Sequence, residues 1–232
     1  MLTLYHSPTT RSLRIKWLLE ELAIPYRQEL INFYNEERVS PGYLKINPVG
    51  SLPAMEDDGL ILTESGAIIN YILTHYGNGR LVPPAGSLDA ARVDEWMYWS
   101  EGLFAVHQRI YWDHCAPPPG CIIDTVPRIG EEGKRQAIKY SIALENALRD
   151  DGFMVGDSLT GADFMLSFPL FLANMGGWFK TRPRIRAYVG RFSSRPAFQT
   201  AIADTLACLQ KMQEPVPPSA PSSFRVFEEG VF

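Results

Sequence analysis

The chain has 232 residues, 46% of them hydrophobic and 21% charged, which excludes disordered, collagen-like and low-complexity classes and leaves an ordinary globular protein of one or two domains. With 22 basic residues against 26 acidic ones the net charge is −4, and no Lys/Arg cluster interrupts that balance, so nucleic acid is not an expected partner. Cys115, Cys121 and Cys208 are too few and too scattered for a disulfide framework and fit a reducing compartment.

The chain opens with a strand predicted over Leu2 to His6, before Pro8, Arg11 and Arg14 interrupt any apolar run; no signal peptide is read there and a cytoplasmic location is expected. Ser12 to Ala23 has the period of an amphipathic helix, with Leu13, Trp17, Leu18 and Leu22 on one face. A second strand follows near Tyr26 to Ile31, then a short helix over Tyr43 to Ile46 that ends at Asn47-Pro48. Pro53 to Glu56 and Leu60 to Leu62 flank Asp57-Asp58-Gly59, a hairpin signal. A helix from Glu64, capped by Thr63, runs to Gly77. The order is βαβαββα.

Pro83-Pro84-Ala85-Gly86-Ser87 is a turn-rich link, and only helical signals follow it. The expected division is a first domain at 1–80, a linker at 81–87, an all-helical domain at 88–213 and a tail at 214–232. Leu88 to His114 reads as one helix of seven turns and Arg128 to Leu148 as its antiparallel partner, separated by Pro117-Pro118-Pro119-Gly120. Thr160-Gly161-Ala162-Asp163 is a capping box in its aspartate form, ahead of an apolar run. That run, Phe164 to Phe179, is shorter than the roughly 18–20 residues needed to span a bilayer and is read as a buried core helix, so no membrane partner is expected. Arg182 to Phe192 and Ala197 to Met212 complete the helices. No metal, dinucleotide or nucleotide motif appears, and no metal is expected.

The βαβαββα order, Asn47-Pro48-Val49-Gly50-Ser51-Leu52-Pro53 and Glu64-Ser65 before a helix resemble the N-terminal domain of the cytosolic glutathione transferases. The second half resembles the family's all-helical domain, with Thr160 to Asp163 where its S/T-x-x-D box stands. Residues 10 to 22 resemble the S-R-S-x-R-V-x-W-L-L-E-E-L segment of fungal and bacterial members. The fold implied is a thioredoxin-like α/β domain followed by an all-α domain.

The resemblance implies glutathione as co-substrate and assigns roles residue by residue. Pro53 would be cis, turning the backbone of Leu52 toward the cysteinyl residue of glutathione as an added strand. Glu64 would take the α-ammonium of the γ-glutamyl end, while Ser65 and the helix N-terminus take its α-carboxylate. Lys45 would pair with the glycyl carboxylate.

The group that ionises the thiol belongs in the loop Ser7 to Ser12, which has no cysteine. Thr10 takes the serine position of the most similar pattern, and Thr9 matches the threonine of bacterial relatives whose loop reads T-P-N-G. Ser12 and Arg11 follow, and Tyr5 matches the tyrosine of other classes less well. The same hydroxyls suit a helix cap, and capping and thiolate binding are compatible.

Trp96, Trp99, Phe104, His107, Tyr111 and Trp112 crowd one helix; some should face the family's apolar electrophile cleft, with His107 a packing residue. The expected reaction is thiolate attack on a hydrophobic electrophile in a homodimeric enzyme. The alternatives are a glutathione-dependent disulfide or peroxide reductase and a non-catalytic binding or regulatory protein of the same fold.

Overall fold

The protein is described by a computed structural model over residues 1–33, 36–117 and 124–211. The expected tail at 214–232, Cys121 and the turn through Gly120 lie outside the described residues. The elements are β1 (Thr3–His6), α1 (Ser12–Leu22), β2 (Arg27–Leu30), a 3-10 turn (Glu36–Val39), α2 (Pro41–Leu44), β3 (Ala54–Asp57), β4 (Leu60–Thr63), α3 (Ser65–His75), α4 (Leu88–Trp99), α5 (Val106–Cys115), α6 (Pro127–Ala147), α7 (Gly161–Met175), α8 (Pro183–Ser193) and α9 (Pro196–Lys211). The short helix starts two residues before its expected position, because Ser40 accepts the Tyr43 amide as N-cap and Pro41 sits in the first turn.

The strands form one sheet in the order β2-β1-β3-β4, parallel between β1 and β2 and antiparallel elsewhere. Asp58 and Gly59 turn the β3–β4 hairpin at φ 46° and 86°, the two positive angles that a two-residue Asp-Gly turn requires. Alternation along β1 sends Leu2, Leu4 and His6 to one face. On the other face, Tyr5 packs with Ile31, Tyr43 and Leu52. Helices α1 and α3 pack together, burying Leu13, Trp17 and Leu18 from one and Ile68, Ile69 and Ile72 from the other.

The chain divides into two compact units, Met1–Val82 with residues 194–211, and Pro83–Ser193. The division falls at Val82–Pro83, and α9 groups with α1 in the first unit. The reason is side-chain chemistry: Trp17 meets the Phe198 ring edge-on at 5.3 Å, Lys16 bonds Asp204 at 2.7 Å, and Arg195 grips Glu21. Lys16 is only 4% exposed and also donates to Tyr26 and Gln28.

In the second unit, the expected single helix over 88–114 is interrupted. Ser100–Ala105 is a π-helical stretch between α4 and α5. Opposite it, α7 carries Pro169, which has no N–H to give the carbonyl four residues back, that of Met165. Ser100 Oγ donates to that carbonyl at 3.0 Å, and Gln108 donates to the carbonyl of Pro169 at 2.8 Å. The capping box at the start of α7 forms: the buried Asp163 carboxylate accepts the Thr160 amide at 2.7 Å, and also the Met154 amide and the Tyr188 hydroxyl. Among the described residues, no helix is long and apolar enough to cross a membrane.

Candidate functional site

Sheet register brings three of the expected segments to one end of the sheet. Tyr5 pairs with Ala54, and Ala54 pairs with Thr63. The loop leaving β1, the Leu52-Pro53 bond entering β3 and the Glu64-Ser65 step leaving β4 therefore emerge side by side. The Leu52-Pro53 peptide is cis. Its approach is fixed by α2: the Tyr43 hydroxyl donates to the carbonyl of Ser51 at 2.7 Å and the Asn47 side-chain amide does so at 2.8 Å. Tyr43 itself is buried against Leu52. Lys45, the residue closing α2, is exposed on this same segment.

The entry into α3 differs from the expected Thr63 cap. Glu64 is the N-cap, with φ 70° and ψ 119° and no side-chain cap bond, and Ser65 is the first helical residue. Glu64 is exposed, whereas Ser65 is buried. The first amide groups of an eleven-residue helix thus open beside an exposed carboxylate and a hydroxyl, a set that can read both charges of an amino-acid end.

The loop hydroxyls separate by environment. Thr9, at φ 60°, is buried and donates to the Pro8 carbonyl at 2.6 Å. Ser12 is fully buried, with Oγ 2.8 Å from His6 Nδ1, 3.1 Å from the Ser7 carbonyl and 3.2 Å from the Ser7 amide. Thr10 is only partly buried; its Oγ1 lies 2.8 Å from the Ser7 carbonyl, 2.7 Å from Ser12 Oγ and 3.3 Å from the Ser12 amide. Of the three hydroxyl-bearing residues, Thr10 is therefore the one that keeps exposure. Arg11 is the N-cap of α1 and makes no side-chain cap bond, so the capping contact falls to Thr10 through the Ser12 amide. Tyr5 is turned away, donating to Glu56 at 3.0 Å, and burial together with that carboxylate pushes its hydroxyl pKa up.

His6 was not singled out by sequence reading. It is completely buried, and burial, reinforced by Lys16 and opposed by Asp204, holds its pKa down to about 3, so the imidazole is neutral. The one sequence signal was a polar residue in register with Leu2 and Leu4 on the apolar face of β1.

In the second unit, Phe104 is buried, stacked on Trp99 at 5.8 Å, and Tyr111 and Trp112 both meet Trp178. His107 packs against Tyr140 and bonds the Leu103 carbonyl, as a packing residue does. Among the described residues no three His, Cys, Asp or Glu side chains gather as metal ligands.

Comparison with known proteins matches residues 1–74 to the glutathione S-transferase N-terminal domain and residues 129–196 to the glutathione S-transferase C-terminal domain. Glutathione S-transferase 3 of Schizosaccharomyces pombe is 28% identical over 213 residues, covering 87% of this chain and 86% of the relative. A solved glutathione S-transferase from Actinobacillus pleuropneumoniae is 26% identical, with a TM-score of 0.71 over 88% of this chain and 93% of its own. The fold is also that of a glutathione transferase from Phanerochaete chrysosporium solved with oxidized glutathione, 20% identical, with a TM-score of 0.79 over 90% of this chain and 96% of that one.

Proposed function

This chain belongs to the glutathione S-transferase family, and from that premise we propose that it conjugates the glutathione thiolate to a hydrophobic electrophile, with Thr10 as the hydroxyl at the sulfur. Glutathione is the co-substrate. The observation that carries the reading is the convergence at one sheet end: register joins Tyr5, Ala54 and Thr63, so the loop that leads to Thr10, Leu52-Pro53 and Glu64-Ser65 emerge side by side. Leu52 pairs with the cysteinyl backbone. Glu64, Ser65 and the α3 N-terminus take the γ-glutamyl end, and Lys45 takes the glycyl carboxylate.

A free thiol of pKa about 8.5 is only roughly 3% ionised at pH 7, and lowering it by about two units makes roughly three-quarters thiolate. A donor hydroxyl, with the N-terminus of α1 behind it, supplies that lowering without metal or covalent intermediate. The loop from Ser7 to Ser12 holds no cysteine, so a covalent disulfide exchange through this loop has no enzyme thiol.

The test is thiolate absorbance of bound glutathione against pH in Thr9→Ala, Thr10→Ala and Ser12→Ala. Thr10→Ala is expected to raise the bound thiol pKa by roughly one to two units, one lost hydrogen bond to a charged group, while affinity falls far less. A rise confined to Thr9→Ala moves the role one residue upstream, and no rise in any variant leaves activation to backbone amides alone.

The enzyme is further read as a cytoplasmic homodimer. Leu88, Tyr98, Leu103 and Val106 are exposed apolar side chains between residues 88 and 106, and a symmetric partner would bury such a surplus. A single 26.1 kDa species by light scattering at micromolar concentration would remove the dimer.

A further inference from the structure

Neutral imidazole carries one N–H, and the surroundings of His6 decide which nitrogen holds it. Nε2 is buried with no hydrogen-bond partner among the described residues, whereas Nδ1 lies 2.8 Å from Ser12 Oγ. A hydrogen on Nε2 would be an orphaned buried donor. On Nδ1 it is satisfied, and only a lone pair is left over, the less costly of the two arrangements.

The rest of the chain of bonds follows by counting. Ser12 Oγ accepts from His6 Nδ1 and from the Ser7 amide at 3.2 Å, which fills its two lone pairs and obliges it to donate its own hydrogen. Two acceptors are in reach, Thr10 Oγ1 at 2.7 Å and the Ser7 carbonyl at 3.1 Å; with the Ser12 lone pairs filled, the closer contact holds only if Ser12 donates to Thr10. Thr10 Oγ1 also accepts the Ser12 amide at 3.3 Å, so its lone pairs are filled in turn. Its own hydrogen goes outward, to the Ser7 carbonyl at 2.8 Å or to a sulfur seated in the site.

We propose that His6 is a positioning residue that fixes the direction of the Ser12–Thr10 hydrogen-bond chain, so that Thr10 meets the glutathione sulfur only as a donor. The proposal rests on the reading of Thr10 as the residue at the sulfur. With the chain reversed, Thr10 would present a lone pair and stabilise the S–H form; in the direction His6 imposes it stabilises the thiolate, and each bond polarises the next. The charged groups facing His6 are Lys16 from α1 and Asp204 from α9, which act on it in opposite senses. The imidazole remains neutral across the range in which the thiol titrates, so the effect is one of orientation.

The substitutions that separate this from a packing role exploit atom positions. Asparagine puts an N–H where Nδ1 stood, glutamine puts one where Nε2 stood, and phenylalanine fills the volume with neither. The measurement is thiolate absorbance against pH for glutathione bound to His6→Asn, His6→Gln, His6→Phe and Thr10→Ala, and to His6→Phe in the Thr10→Ala background, with thermal unfolding as the fold check. His6→Asn should titrate as the parent does. His6→Gln and His6→Phe should raise the bound thiol pKa by about one unit with the glutathione dissociation constant changed less than about twofold, and His6→Phe should add nothing once Thr10 is alanine. If the phenylalanine variant does not fold, the Asn–Gln contrast carries the same comparison. An unshifted thiol in His6→Gln and His6→Phe, with Thr10→Ala shifted, overturns the role of His6 and leaves Thr10 standing. Equal rises in Asn and Gln reduce His6 to packing. No rise in Thr10→Ala removes the Thr10 reading, and this inference with it.

Discussion

Glu64 enters α3 at φ 70°, a backbone region that costs a non-glycine residue on the order of 1–3 kcal/mol and is tolerated at sites where the side chain is needed. Glu64→Gly relieves that strain but adds freedom to the unfolded chain, for a net gain of about 1 kcal/mol in unfolding free energy. The same substitution removes the carboxylate proposed to take the α-ammonium of glutathione, and on that proposal affinity falls at least about tenfold. Denaturant unfolding and calorimetric titration of the one variant read both; a destabilised Glu64→Gly would contradict the strain argument. Residue types and motif single out Glu64, Ser65 and Thr10 as candidates, because each lies at a local turn or helix end. His6 was out of reach for the opposite reason: its partner is six residues away, and a turn brings it there. The ranking of Thr9, Thr10 and Ser12 likewise depended on which hydroxyl the loop buries.

At the scale of elements, the hole that Pro169 leaves in the bonding of α7 is filled from another helix. Ser100→Ala removes this hydrogen bond to the Met165 carbonyl and should cost about 1 kcal/mol. Pro169→Ala restores an N–H within α7, so in that background Ser100→Ala should cost little, and the coupling in a double-mutant cycle is the measurement. Equal costs in both backgrounds would show that the two sites do not communicate. Helices α1, α3, α6 and α7 were legible from periodicity, and the α7 start from its capping box. The π-helical stretch was not, since Val93, Met97 and Phe104 are spaced as one continuous α-helix would space them, and its bonding partner lies 65 residues further along the chain.

Over the whole molecule, the first unit is closed by the last described helix. Asp204 neutralises the nearly buried Lys16, and Asp204→Ala should destabilise the protein by about 1–3 kcal/mol, less than for a fully buried pair because the carboxylate itself is 40% exposed. Burial alone would raise the Asp204 pKa, but the hydrogen bond and charge of Lys16 outweigh it and hold the carboxyl below its ordinary value of 3.8. The contribution is therefore complete above that value and is lost as the pH falls below it toward the folded-state pKa, with the unfolded chain taking up the proton first. Acid unfolding followed by tryptophan fluorescence should show this step in the parent and not in Asp204→Ala. The two units divide at Val82–Pro83, beside the Pro-rich stretch 83–87. The allegiance of α9 did not show, because an apolar helical face says that something covers it and not which element does.

That closure also sets an order of events on the ribosome. The first unit begins to emerge before the second, yet it lacks Phe198, Ile202 and Asp204 until α9 has been made. At about 5–20 residues per second, the roughly 130 residues from Val82 to Lys211 take on the order of 6–26 s to make. Through that interval Trp17 and Lys16 have no partner from α9, while the continuous run Pro83–Ser193 can already pack on itself. The unit that begins earlier in the chain is thus the one finished later.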